Sequence, residues 1–501
     1  MTIREITEIL FQFEETNPVS RARYQGVAVW PLLRLQFLLA LSREGEASAD
    51  KGIAATGVSD ALKAAPESRR DERKKIRKER HIHEWIEANS ERGIEGDALY
   101  FLQSSKVLED EEGRPFHRFF DSLIELTGTR ESSRFLYWDD SRAAYDPGEL
   151  GSPVINFDPV LGKLRGLARD SVRAGSAVSD FGPVMDLCRK WNLEHPSCAV
   201  DEHRLHEECE TTIKLAEVLV EVLEVRPRVV FLTCFYCVPA FALALACRRL
   251  KIPCVEMQHG QQGDWHSMYT HWSSDWIEGA DDDIHIVPSH FWAWSETARK
   301  RMAKWWSPAI TELIVGGNPW LIYRTRTVNR AKFKPAVSAN SHRRRICLIS
   351  MQYSTLPSFL WETILQRGDI RWWFRMHPRF LDEKDEFVRQ CCERLGDSVD
   401  WEVEAPTATD LYEIFSKVDI HLTGWSTTAH EALFFQVPTI LTHENGRDAM
   451  GSYIEDGVFA YADTSETLSA RLDEFPLASK SISELVVGED TLREKFGNFH
   501  H

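Results

Sequence analysis

Asp419 to Asn445 reads DIHLTGWSTTAHEALFFQVPTILTHEN, and the fold of these residues decides how the rest of the chain is read. Asp419 to Thr423 has the apolar run of a short buried strand, and Gly424 permits a tight turn. Ser426, Thr427 and Thr428 then offer hydroxyls where a helix starting near Ala429 needs an N-cap. Pro438 blocks that helix beyond about Gln436, and Thr439 to Thr442 reads as the next strand. A strand, a turn and a helix start together make an anion site. The unpaired N–H groups and the positive end of the helix dipole favour a phosphate, and small hydroxyl side chains let it approach. Glu431, on the first turn, is placed to reach past that phosphate to the hydroxyls of a ribose. Taken alone, the stretch fits an ordinary capped helix in a parallel sheet at least as well.

The same rhythm extends in both directions. Upstream, Arg345–Ser350 (RICLIS), Ile370–Met376 and Val399–Val403 read as strands, with helices over Phe359–Gln366, Glu383–Leu395 and Asp410–Ser416 between them. Further back, strands are expected at Asp97–Gln103, Arg134–Trp138, Val154–Phe157, Arg228–Thr233, Pro253–Met257 and Glu312–Val315. Alternation of this kind predicts parallel sheets with crossover helices, an α/β chain. The basic and small residues of Tyr323–His342 read as a linker between two such halves. The expected organisation is a helical and basic segment over 1–96, a first α/β domain over 97–322, the linker 323–342, a second α/β domain over 343–478 and a tail over 479–501.

In an open parallel sheet, ligands bind at the carboxyl ends of the strands, so the polar residues there are the candidates. His377 follows the strand Ile370–Met376, and Pro378 holds it extended. Its imidazole can donate to a phosphate oxygen, and Arg375, on the same face by the period of two, can add charge. With Gly424, Ser426, Thr427 and Glu431, these residues form the expected donor site. At the end of an earlier strand, Glu256, Gln258, His259, Asp264 and His266 supply donors and carboxylates enough to hold a sugar and remove a proton from it. His259 or Asp264 is the expected general base. Gln258, His266 and Ser104 are expected to contact the acceptor, and Glu256 to pair with an arginine. The spacing fits no standard zinc pattern, and no metal site is expected. Trp265, Trp272 and Trp425 lie near enough in sequence to stack on a sugar or base.

Composition bounds the partners. The 501 residues suffice for two or three domains, and a net charge of −17 argues against nucleic acid. Ten cysteines without a metal or disulfide pattern, including the CFYC pair Cys234 and Cys237, fit reduced thiols in a cytoplasmic protein. The opening MTIREITEILFQFEE is acidic and amphipathic, unlike a signal peptide. Trp30, Leu33, Phe37 and Leu41 fall on one stripe, which leaves peripheral contact with the inner membrane open. The run Arg69–Arg80 (RRDERKKIRKER) reads as a solvated helix face.

EMQHG (Glu256–Gly260), GGNP (Gly316–Pro319), RMHP (Arg375–Pro378) and GWSTTAHEALFFQVPTI together resemble the GT-B glycosyltransferases, two Rossmann-like domains facing across a cleft, here with a helical N-terminal addition. The resemblance is to bacterial enzymes of surface-polysaccharide synthesis: sialic acid and Kdo transferases that use CMP-sugars, and teichoic acid polymerases that use CDP-linked donors. It implies that His377, Ser426 and Thr427 grip the donor phosphate, that Glu431 takes the ribose, and that the amino-terminal domain holds the acceptor and the base. The implied activity is inverting transfer from a nucleotide-sugar, CMP-linked by preference, to a glycan or glycolipid, without metal or cofactor. No Asp/Glu-Asp/Glu-Gly motif carries the base, a departure from the sialyltransferases. A CDP-polyol phosphotransferase, a sugar-nucleotide epimerase and a non-catalytic carbohydrate-binding GT-B module are the alternatives.

Overall fold

The computed structural model describes the chain except for residues 49–68, 91–96, 105–106, 110–112, 141–152, 175–180, 225–226, 261, 279–283, 328–343, 475–486 and 501. Two parallel sheets organise it. Numbering only their strands, the first holds β1 (Ala98–Gln103), β2 (Ser133–Trp138), β3 (Val154–Asn156), β4 (Val229–Leu232), β5 (Cys254–Met257), β6 (His290–Ala293) and β7 (Glu312–Val315), in the spatial order β7-β6-β5-β4-β1-β2-β3. The second holds β8 (Arg345–Ser350), β9 (Ile370–Arg375), β10 (Trp401–Glu402), β11 (Ile420–Thr423), β12 (Thr439–Leu441) and β13 (Ala460–Tyr461), in the order β10-β9-β8-β11-β12-β13. Read from its first strand, each sheet runs outward one way for two strands and then the other way. This is the Rossmann order, and its reversal falls between β1 and β4 in one sheet and between β8 and β11 in the other. β1, β4, β5 and β11 are buried at every position because helices cover both faces, so they read as apolar runs without alternation. This is the expected α/β, GT-B arrangement.

Several expected boundaries move. The residues before the first sheet form no separate segment. Helix Ile3–Thr16, closed at its start by a Thr2–Glu5 capping box, and helix Trp30–Ser48 share the core of the first unit. Phe37 stacks on Trp191 at 4.2 Å. Trp30, Leu33, Phe37 and Leu41 are therefore core, and the stripe offered for membrane contact is not on the surface. No helix among the described residues is long and apolar enough to cross a membrane. The basic helix Arg69–Ser90 packs through Ile82 and Ile86 and ties Lys78 to Asp170 at 2.9 Å.

The expected linker begins as helix, Pro319–Thr327, and its remainder lies outside the described residues. The tail does not trail. Helix Glu489–Gly497 returns to the first unit, where Phe496 stacks on Phe231 at 5.9 Å and Arg326 pairs with Glu489.

The two units meet along a seam. Asp264 of the first accepts from the Ser452 N–H (3.0 Å) and hydroxyl (2.8 Å) of the second, Arg324 pairs with Asp410 at 3.1 Å, and Arg301 lies 3.4 Å over the ring of Tyr453. A Cβ at Gly263 would stand 1.9 Å from the Ala449 carbonyl oxygen, so the backbones touch where only glycine fits.

Candidate active site

Because every strand of the second sheet is parallel, the loops after β8, β9, β11 and β12 leave from one edge. The β11 loop carries Gly424 to Thr427. Ser426 Oγ accepts from the Thr428 N–H at 3.3 Å, and the helix begins at Thr428 but runs only to Phe434, seven residues. A Cβ on Gly424 would meet the Gln352 amide oxygen at 2.5 Å; that oxygen also accepts from the Trp425 N–H, locking the β8 loop onto the β11 loop. His377 after β9 is extended at φ −70° and ψ 141°, and its Nδ1 accepts from the Arg379 N–H at 3.2 Å. That leaves Nε2 as the donor. Burial, and then the charge of Arg379, hold its pKa below the ordinary value, so the ring is neutral near neutral pH.

Arg375 is not a free phosphate ligand. Its Nη1 donates to the carbonyls of Pro406 and Thr409, bracing the short helix Glu404–Ala408 after β10. Glu431 is half-buried, and burial raises its pKa against the opposing pull of Arg118 and Arg375.

From the first unit, the loop after β5 reaches into the same crevice. A Cβ on Gly260 would touch Thr427 Cγ2 at 4.0 Å, which puts His259 beside the start of the β11 loop's helix. His259 Nδ1 faces the Met257 carbonyl at 3.4 Å and Glu256 Oε1 at 3.9 Å. Glu256 is buried, accepts from the Tyr269 hydroxyl and, more weakly, from the Phe235 N–H, and burial pushes its pKa up to about 8. Its partner is thus a tyrosine, not the expected arginine.

The other expected residues of this unit are committed elsewhere. Gln258 is 4% exposed; its amide accepts from the Trp294 N–H at 2.8 Å and donates to the Gly260 carbonyl, which shapes the loop rather than contacting an acceptor. Asp264 is tied to Ser452. His266 packs against Tyr269 and Tyr236, and burial lowers its pKa to about 4. Ser104, 2% exposed, donates to Asp139 and Asp140. Trp272 is buried under Arg34 (4.1 Å), and Trp265 stacks on His271 (4.3 Å); Trp425 lines a cavity.

That cavity, about 390 Å³ to its open mouth, sits at the β8/β11 reversal and is walled by Tyr353, Trp425 and His443 with Gln352 and Thr442. A second hollow, open to solvent, lies on the seam between Trp294 and Asn318 on one side and His430 and Tyr453 on the other. Sequence spacing gave no sign of Gln352, Tyr353 or His443, because their approach to Trp425 depends on which strands are neighbours. Cys234 and Cys237 are half-buried thiols at the end of β4, outside any disulfide.

No family model and no curated protein matches the chain. Among solved structures it is similar to the UDP-GlcNAc 2-epimerase from Methanocaldococcus jannaschii, at 14% identity and a TM-score of 0.46 over 81% of this chain and 100% of that one. It is also similar to the UDP-GlcNAc 2-epimerase from Neisseria meningitidis bound to UDP-GlcNAc (14%, TM-score 0.44, 80% of this chain and 99% of that one). A third is the glycotransferase of kitacinnamycin (13%, TM-score 0.39, 80% and 95%). Likeness at this level carries no weight for substrate or reaction, which must be read from the cleft itself.

Proposed function

We propose that the chain is a glycosyltransferase that moves a sugar from a nucleotide donor to the hydroxyl of a glycan or glycolipid, with inversion and without a metal. The observation that carries this reading is the approach of the His259–Gly260 loop to Thr427. It puts a proton acceptor of one unit against the hydroxyl-rich turn of the other, at the edge where both sheets open. His259 serves as the base; Asp264 does not, because the carboxylate is held by Ser452. The acceptor O–H gives its proton to His259 Nε2, its oxygen bonds to the anomeric carbon, and the bond from that carbon to the donor phosphate breaks with its electron pair on the phosphate oxygen. An imidazolium formed at His259 favours ionisation of the adjacent Glu256, which then opposes its charge. His377 Nε2–H, Ser426 and Thr427 receive the departing phosphate. The sequence resemblance makes a CMP-sugar the first donor to try, with surface polysaccharide as the product class.

The test is a thermal-shift screen against CMP, CDP, UDP, GDP and ADP, repeated with His377→Ala. Ligand at 100 times its Kd stabilises by about 2.7 kcal/mol, readily seen as a rise in melting temperature. One nucleotide that shifts the wild type, with the shift lost in the variant, is the expected result. No shift with any of them would overturn the reading. Rearrangement of a nucleotide-sugar without any acceptor, followed by NMR, would replace transfer with epimerisation.

A further inference from the structure

The donor phosphate, on the reading just given, leaves with negative charge, yet the groups placed to receive it bring little positive charge. His377 is neutral, and the helix behind Ser426 and Thr427 has only seven residues. The charge lies elsewhere on the seam. Phe116 packs on Trp320 (5.9 Å) and Tyr323 (5.8 Å), and Phe119 on Trp294 (6.1 Å). Both tryptophans also reach the second unit: Trp320 donates to the Tyr412 hydroxyl, and Trp294 meets His430 at 6.3 Å. Arg118 therefore sits between two anchor points of the seam, within electrostatic reach of Glu431 and Tyr412 on the far side.

Arg375 acts on the same Glu431 and on Asp410, and Arg324 pairs with Asp410. Three guanidinium groups thus face two carboxylates, and one positive charge is unmatched. Arg324 is held by Asp410 and Arg375 by two carbonyls. Arg118 is half-buried, and among the described residues neither its side chain nor that of Glu431 makes a hydrogen bond. Arg118 thus faces Glu431 through space alone and keeps its N–H donors uncommitted, whereas those of Arg375 are spent on carbonyls. A guanidinium is suited to phosphate because it presents paired N–H groups in a plane.

We propose that Arg118 binds the phosphate of the nucleotide donor from the first unit, so that the anion site is complete only when the two units are closed on each other. The inference rests on the proposed nucleotide-sugar reading. It also explains how the phosphate can be neutralised although the second unit, which carries the hydroxyl turn, has spent its own arginine on two carbonyls.

Isothermal titration of the full chain with CMP, CDP, UDP, GDP and ADP, and with the matching nucleosides, tests it in wild type, Arg118→Gln and Arg118→Lys. Loss of a charge-assisted contact is expected to weaken nucleotide binding roughly 10- to 100-fold in Arg118→Gln. Arg118→Lys should fall between the two, and nucleoside affinity should stay at its wild-type value, since a nucleoside carries no phosphate for Arg118 to contact. Nucleotide affinity unchanged in Arg118→Gln overturns this inference alone. A wild type that binds no nucleotide overturns the proposed function and this inference with it. Equal weakening for nucleoside and nucleotide assigns Arg118 a structural role and overturns the contact with phosphate.

Discussion

Glu256 shows how one buried side chain couples the candidate site to the stability of the fold. Burial raises its pKa from 4.5 to about 8, so the folded state holds a proton that the unfolded chain releases once the pH passes 4.5. Its contribution to stability is full below pH 4.5 and is lost as the pH rises through about 8, the window between unfolded and folded values. Within that window it tilts stability downward by up to about 1.4 kcal/mol per pH unit. Glu256→Gln keeps an acceptor for the Tyr269 hydroxyl and cannot ionise. Melting temperatures measured across this range should therefore fall less steeply in the variant than in the wild type; parallel curves would show that Glu256 is ionised in the folded protein. Asp264 makes the converse point. Its position in the EMQHG region made it an equal candidate for the base, but a carboxylate that accepts from a backbone N–H and a hydroxyl of the other unit is a fastener.

The N-terminal helices are the element with the least obvious role, and their contacts define it. Glu14 and Arg34 are fully buried and 3.0 Å apart. Beyond their own pairing they hold one loop: Glu14 accepts from the Ser273 N–H at 2.8 Å, and Arg34 donates to the carbonyls of Thr270 (3.1 Å) and His271 (2.9 Å). Thr7 adds a bond to the Trp265 carbonyl. The loop so held carries Tyr269, which in turn holds Glu256 beside His259. The addition is thus a buttress beneath the loop that carries His259. Breaking a buried pair leaves the remaining charge uncompensated, so Arg34→Ala is expected to cost about 3–5 kcal/mol. Urea denaturation checks this, and the double variant Glu14→Leu, Arg34→Met should recover only part of the loss: an apolar pair avoids the desolvation of both ions but leaves the Ser273 N–H and the Thr270 and His271 carbonyls without these partners.

For the whole molecule, the closed seam is the feature on which the proposed chemistry depends. Gly263 is its tightest point, since any Cβ there collides with the Ala449 carbonyl, a backbone atom that cannot move aside as a side chain can. Gly263→Ala should therefore weaken the contact between the units, at a cost of about 1–3 kcal/mol for the overpacked position. Small-angle scattering would register this as a larger radius of gyration in the variant, with each sheet's own helices and strands intact by circular dichroism. An unchanged radius would show that the seam absorbs the methyl group.

Much of this architecture was legible in the sequence. Buried parallel strands advertise themselves as apolar runs between helical stretches, so RVVFLT, RICLIS and DIHLT located β4, β8 and β11, and Gly424 and Pro438 marked the turn after β11 and the end of the helix that follows it. The residues after those strands were legible as well, since a parallel sheet sends every carboxyl end to one edge. What the sequence could not determine is which of those polar residues are free. Gln258, Asp264, Arg375 and Ser104 each have the chemistry of a ligand-binding group, and each is used by a partner more than 30 residues away or by its own loop. Hydrogen-bond competition of that kind is settled by long-range geometry, which short spacings do not encode. The same holds for Arg118, an unremarked residue in PFHRFF, whose meaning comes only from the carboxylate that the second unit brings opposite it. The sequence by itself determined two Rossmann units and the edges at which they open; the tertiary structure alone decided which side chains those edges leave unpaired, because an unpaired group exists only once every other partner has been placed.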